Sequence, residues 1–237
     1  MPEARTFLRP DGRRFLLGPP DEELPPGELF ATVEEGEAEH LLALENHGFL
    51  RERRELELAL PASVPAVPAP PGLAAVRADE VDETVLRLLD DELRQDVPGT
   101  DGWRWTAEEF QEETFRSPHF DPAVYPVAIF EGAPAGICRV WLRPEHPRLG
   151  FIGVCRSLRR RGIARWLIGE TFAVFQARGE REVWTEVDEK NVASRTLLES
   201  LGGRPVGASL ELRRPWAPWS QSAPARRRAA GAPRSRT

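Results

Sequence analysis

The segment PASVPAVPAPPG at 61–72 packs five prolines into twelve residues. Proline lacks the N–H that helices and interior strands use, so such a run is extended and semi-rigid. The segment divides the chain into a leading piece, 1–60, and a longer piece, 73–214. With 237 residues, 41% hydrophobic and 30% charged, the chain is neither fibrous nor a solvated coil. Its length allows one large domain or a smaller domain with an appendage, and the proline run favours the second. A further break follows Pro215. The stretch 215–237 has no apolar periodicity and carries five arginines and no acid, so a disordered basic tail is expected. Its cluster Arg226, Arg227, Arg228 reads as solvated, and nucleic acid is not an expected partner.

No run approaches the roughly 20 apolar residues of a membrane span, and the start MPEARTFLRPDGRR lacks an apolar signal core. A cytoplasmic location without membrane association is therefore expected. Cys138 and Cys155 are the two cysteines, without CxxC spacing, and read as ordinary thiols rather than a disulfide or metal site. No histidines stand three to five apart, so no metal is expected.

From 73 to 214 the pattern alternates. The spacing predicts a short extended start at 73–77, helices at 79–95 and 106–115, and three β-rich runs at 125–130, 136–142 and 149–155. A long helix at 163–178 follows, then a strand at 182–187, a helix at 192–201 closed by Gly202-Gly203, and a last strand at 206–212. The fold class is α/β (α+β): a mixed, mainly antiparallel sheet flanked by helices. In the leading piece, LLALENHGFLRERRELELALP (41–61) echoes LLESLGGRPVGASLELRRP (197–215). Two readings stay open: half of a duplicated domain, or a chance recurrence of helix, glycine and strand.

The sharpest local signal is strand, turn and helix at 149–178. Arg156, Arg159, Arg160, Arg161 and Arg165 stand within ten residues where a helix begins. Free amides and the helix dipole favour an anion there, and Gly162 permits close backbone approach. Arg159-Arg160-Arg161-Gly162-Ile163-Ala164 resembles the acyl-CoA loop, (Q/R)-x-x-G-x-(G/A), of the GCN5-related N-acetyltransferases (GNAT superfamily). TEVDEKNVASRTLLESLGG at 185–203 is similar to the second signature of that family.

The resemblance implies a GNAT fold at 73–214, with 1–60 a partial GNAT-like region, and acetyl-CoA as co-substrate. Backbone groups of Ile152, Gly153, Val154 and Cys155 would pair with the pantetheine arm, with Val154 polarising the thioester carbonyl. The loop Arg159, Arg160, Arg161, Gly162, Ile163, Ala164 and Arg165 would hold the pyrophosphate, while Asn191 and Ser194 would contact the cofactor. Glu186 is the expected base. Leu198 stands where many members carry the tyrosine that protonates the thiolate. Since a thiol pKa is about 8.5, the leaving group needs little help.

The implied activity is direct acetyl transfer to a primary amine of a small molecule or peptide, by a monomer or homodimer. The alternative is a non-catalytic acyl-CoA-binding module. The acidic stretch 79–121, with 14 acids against 4 arginines, reads either as a rim attracting a cationic amine or as a solvated helix face. Trp103 and Trp105 are candidates for core or substrate cover. Tyr125, His119 and His146 are left off the site.

Overall fold

The computed structural model describes residues 5–20, 23–65 and 67–216. The basic cluster at 226–228 lies outside them. One ten-stranded sheet organises the chain, in the order β1-β2-β3-β10-β4-β9-β8-β7-β6-β5. The leading piece supplies β1 (Thr6–Leu8), β2 (Arg14–Leu16), β3 (Leu29–Glu34), α1 (Ala38–Asn46) and β4 (Leu50–Pro61). Past the prolines come β5 (Leu73–Arg77), α2 (Glu83–Arg94), α3 (Ala107–Glu113), β6 (Pro126–Phe130), β7 (Ala133–Trp141) and β8 (Arg148–Val154). Then follow α4 (Ile163–Ala177), β9 (Glu182–Asp188), α5 (Val192–Ser200) and β10 (Arg204–Arg214). Pairing is antiparallel throughout except between β2 and β3 and between β8 and β9.

The pattern-based elements are all present, with shifted ends. The helix expected at 79–95 begins only at Glu83, because Asp82 accepts the Val85 N–H as its cap at 3.1 Å and a separate 3-10 turn occupies Ala78–Glu80. Thr106 and Glu109 form the expected capping box. β7 begins three residues earlier than expected. The turn between β6 and β7 closes on Glu131 and Gly132, both at positive φ, so Pro134 already lies in the strand.

The proline boundary does not separate two packing units. β4 is an interior strand, bonded to β10 on one side and β9 on the other, and it runs as far as Pro61. The connector itself is packed, since Ala62 and Val64 are buried in the main core. A chain leaving an interior strand for the far edge, β5, must cross a sheet face, and the prolines let it do so without unsatisfied amides.

That main core lies between α4, α5 and the sheet, and holds Leu58, Leu60, Cys138, Val140, Phe172, Val183 and Leu198. The opposite face is covered by α2 and α3 over Tyr125, Val127, Ile137 and Phe151. A third cluster sits beneath α1, with Leu29, Val33, Leu44, Leu210 and Leu212.

The leading piece and the end of the chain repeat each other at a constant interval of 154 positions. Ala38–Asn46 of α1 corresponds to Val192–Ser200 of α5, and Leu29–Glu34 falls within the correspondents of Glu182–Asp188. The pairing repeats as well. Ser209 opposite Glu34 matches Glu55 opposite Asp188, Leu210 opposite Val33 matches Leu56 opposite Val187, and Arg214 opposite Leu29 matches Leu60 opposite Val183. Gly48 and Gly202 end the two helices at φ 84° and 87°.

Candidate active site

β8 and β9 run parallel and pair only through Arg148 with Trp184 and Leu149 with Thr185. Beyond these pairs the strands part. The cleft between them holds about 190 Å³ and is lined by Ile152 from β8, Glu186 and Asp188 from β9, Asn191 at the start of α5, Ser194 and Leu198 within it, and Glu55 from β4.

Backbone alternation decides which groups of β8 face this cleft. The Cys155 N–H donates to Ala135 O at 2.8 Å, so Cys155 belongs to a hydrogen-bonded pair with β7. Val154 opposite Gly136 is therefore a non-bonded pair, and so is Ile152 opposite Cys138. Ile152 and Val154 turn their backbone groups toward the cleft, whereas Gly153 and Cys155 spend theirs on β7. Of the four residues expected along the pantetheine arm, alternate ones thus present free edges. The Val154 carbonyl already accepts Arg159 Nε at 2.9 Å, which leaves its N–H.

Gly162 caps α4 at φ 83° and contributes no side chain to the cap. The amides of Ile163, Ala164 and Arg165 consequently lack a capping partner within the helix start. Arg160 precedes them at φ 63°, a left-handed turn in the loop that leads into the helix. The arginines divide between two tasks. Arg156 and Arg159 both bind Asp96, which follows α2, and these hydrogen bonds hold its carboxyl down at about 2. Arg160 and Arg161 are exposed, and Arg165 reaches Ser200 Oγ at 2.5 Å. Asn191 caps α5 by accepting the Ser194 N–H at 3.2 Å. These residues suit a nucleotide thioester: open strand edge, uncapped helix start and free cations follow one another along a single path.

A second cleft of about 400 Å³ adjoins the first, lined by Glu57, Arg143, Glu145, His146, Trp184 and Glu186 among others. Arg148, Thr185 and Glu186 border both clefts. Glu186 is exposed and ion-paired with Arg148 at this boundary. His146 stacks on Trp184 with ring centroids 4.7 Å apart and planes at 7°. Glu182, Trp184 and Glu186 share the β9 face opposite the core, as the alternation requires.

Most acids of 79–121 are exposed, as a solvated helix face requires, but two are differently employed. Asp90 and Asp91 are buried, Asp90 binding Arg94 and the Trp105 indole, Asp91 accepting the Trp105 N–H at 2.8 Å. Trp105 is core, with Trp103 against it at 4.4 Å. Tyr125 is buried and lines neither cleft, and burial raises its hydroxyl pKa. The acids near the clefts come instead from β4, β9 and Glu145.

The sequence at 85–202 matches the model of the acetyltransferase (GNAT) family. The chain carries a GNAT acetyltransferase domain. A GCN5-related N-acetyltransferase from Sphaerobacter thermophilus superposes with a TM-score of 0.68 at 25% identity, over 81% of this chain and 60% of that one. A tandem GNAT protein from the clavulanic acid biosynthesis pathway gives 0.57 at 20% identity, over 81% and 65%. A GCN5-related N-acetyltransferase from Kribbella flavida gives 0.55 at 18%, over 79% and 68%. This chain thus spans less than two thirds of the first two structures. No curated protein matches the sequence. The mixed, mainly antiparallel GNAT fold is as the sequence motifs implied. No helix of the described residues is long and apolar enough to cross a membrane.

Sequence reasoning missed Glu55, Glu57, Arg148 and His146. Three of these owe their place to long-range pairing: β4 reaches β9 across more than a hundred residues, and Arg148 meets Glu186 only where β8 and β9 touch. A charged residue at an inward strand position, as in RERRELELALP, was the available signal.

Proposed function

We propose that the GNAT domain is an acetyl-CoA-dependent N-acetyltransferase acting directly on a cationic primary amine of a small molecule or peptide. The observation that carries this reading is the run from the Ile152 and Val154 backbone edge to the uncapped α4 start at Gly162. An extended arm adds to such an edge as a strand would, and a pyrophosphate suits the helix N-terminus. The bound thioester supplies an activated acetyl carbonyl. The Val154 N–H donates to that oxygen as negative charge gathers on it. Arg159, braced by Asp96 and the Val154 carbonyl, fixes the loop, and Arg160, Arg161 and Arg165 add positive charge. Asn191 and Ser194 line the arm. Glu57, Glu145 and Glu186 outnumber Arg143 and Arg148 in the adjoining cleft, and Trp184 offers a ring face, both suited to an ammonium group. Glu186, at the boundary of the clefts, receives the amine.

Transfer is direct, without an acyl-enzyme. Burial pushes the Cys138 thiol up to about 12 and raises the Cys155 thiol too, so neither is a ready thiolate. A transferase domain at 73–214 completed by β4 from 1–60 accounts for the 154-residue repeat as the remnant of a duplication. A structural relative of this fold is itself described as a tandem GNAT protein.

One observation favours a second reading, a CoA-binding module without turnover. Leu198, buried at 2% exposure, lines the cleft where a proton donor for sulfur would stand. Incubation with acetyl-CoA and a panel of primary amines, following thiol release, separates the two. Amine-dependent release supports the transferase; retained CoA binding with no release for any amine supports the module.

A further inference from the structure

We propose that Glu55, contributed by the leading piece of the chain, is the catalytic base. The inference rests on the acetyltransferase reading. Glu55 lies on β4, directly opposite Asp188 of β9, and lines the same cleft as Ile152, Asn191 and Leu198. Its side chain is half-buried, at 23% exposure against 32% for that of Glu186. Glu186 stands at the boundary with the amine cleft, where its ion pair with Arg148 leaves it at the rim that an amine meets first. The two glutamates are diagonal neighbours, since Glu57 is opposite Glu186, a spacing of about 7–8 Å between positions. An amine held at Glu186 is therefore within a short step of Glu55.

Charged groups meet Glu55 from several sides. Arg53 on its own strand approaches to 3.2 Å, but its guanidinium is shared with Glu211 at 3.0 Å and the Pro98 carbonyl at 3.1 Å. Asp188 and Glu186 face it from β9, Glu211 from β10, and Arg9 from the leading hairpin. Burial raises the Glu55 pKa most, Arg53 opposes, and the charges of Glu186 and Glu211 raise it further. A carboxylate in such a setting takes a proton more readily than an ordinary surface acid.

In the step assigned to it, one Glu55 oxygen removes a proton from the ammonium nitrogen. The freed lone pair forms the N–C bond to the acetyl carbon as the C–S bond breaks. The departing sulfur keeps that electron pair, and a second N–H proton neutralises it. Glu55 returns its proton to solvent.

The test uses the full chain with acetyl-CoA and the most active amine of a panel including putrescine, spermidine and lysine methyl ester. Glu55→Gln is expected to lower kcat/KM by about 100-fold or more and to flatten the acid limb of its pH profile. Acetyl-CoA affinity by calorimetry and the circular dichroism spectrum are expected to stay at wild-type values. Glu186→Gln is expected to raise KM for the amine and keep the acid limb. A Glu55→Gln enzyme with the wild-type kcat/KM and limb, measured against an active wild type, overturns the assignment. A wild type that releases no thiol with any amine overturns the transferase reading itself, and the base assignment with it.

Discussion

Ser209 and Glu55 face each other at the centre of the β4–β10 pair, and they are each other's counterparts in the 154-residue repeat. Pairs on either side exchange accordingly: Leu210 opposite Arg54 matches Leu56 opposite Ala208. The point between Ser209 and Glu55 is thus a local two-fold axis relating β3-α1-β4 to β9-α5-β10. Such an arrangement interleaves the last strands of the two halves, so each half is completed by the other.

A chain beginning at residue 73 is therefore expected not to fold. It lacks Leu58 and Leu60, 1% and 0% exposed, and leaves β9 and β10 without the strand between them. Thermal melts followed by circular dichroism should show no cooperative transition. Adding a peptide of residues 1–65 should restore one; cooperative unfolding of the truncated chain alone would count against interdependence.

Asp96 clasps the loop of Arg156 and Arg159 to the end of α2. Its pKa is lowered from 3.8 to about 2, so the clasp stabilises the fold above pH 3.8 and loses that contribution as pH falls toward 2. Asp96→Asn is expected to cost less than about 1 kcal/mol at neutral pH, because the pair is solvent-screened. Urea midpoints of wild type and variant should converge between pH 4 and 2. A constant gap would show that the ion pairs do not act.

Gly162 holds φ 83°, and a methyl group added at its Cα would meet nothing within 4 Å, so the cost of a side chain there is conformational, not steric. Gly162→Ala is expected to lose about 1–2 kcal/mol and to weaken acetyl-CoA binding. Calorimetry and a thermal melt check both. Unchanged affinity and Tm would refute the loop's role.

Trp184 forms a wall of the second cleft with His146 stacked on it. Trp184→Ala should raise KM for a cationic amine about 2- to 30-fold, with kcat little altered. A fall in kcat alone would move Trp184 from binding to chemistry.

Neither cysteine is expected to carry the acetyl group. Cys155→Ser should keep amine-dependent thiol release within about twofold of wild type, and the Cys138 thiol should resist alkylation at pH 8. A trapped acetyl-thioester on the protein would reverse this.

Local pattern made most of the GNAT domain legible. The capping box at Thr106, the glycine stops and the alternation of Glu182, Trp184 and Glu186 are short-range signals. The strand and helix flanking Arg159 to Ala164 were legible for the same reason, since they adjoin in sequence. What stayed hidden depends on which distant strands become neighbours. Nothing within 50–61 announces that its partners are 182–188 and 204–214, so Glu55 and Glu57 looked like ordinary strand charges. Within 79–121 most acids are solvent-facing, but two misled for the opposite reason. Asp90 and Asp91 read as solvent-facing because burial by Trp105 and arginine partners is a tertiary event.

The position of β4 also sets an order of assembly during synthesis. Both neighbours of this strand are made in the last quarter of the domain, so the first 60 residues emerge with no lasting partner for β4. Closure of the sheet is thus postponed until residues 182–214 clear the ribosome, and the amides and leucines of β4 stay uncovered until then. A strand made early is among the last to be locked in.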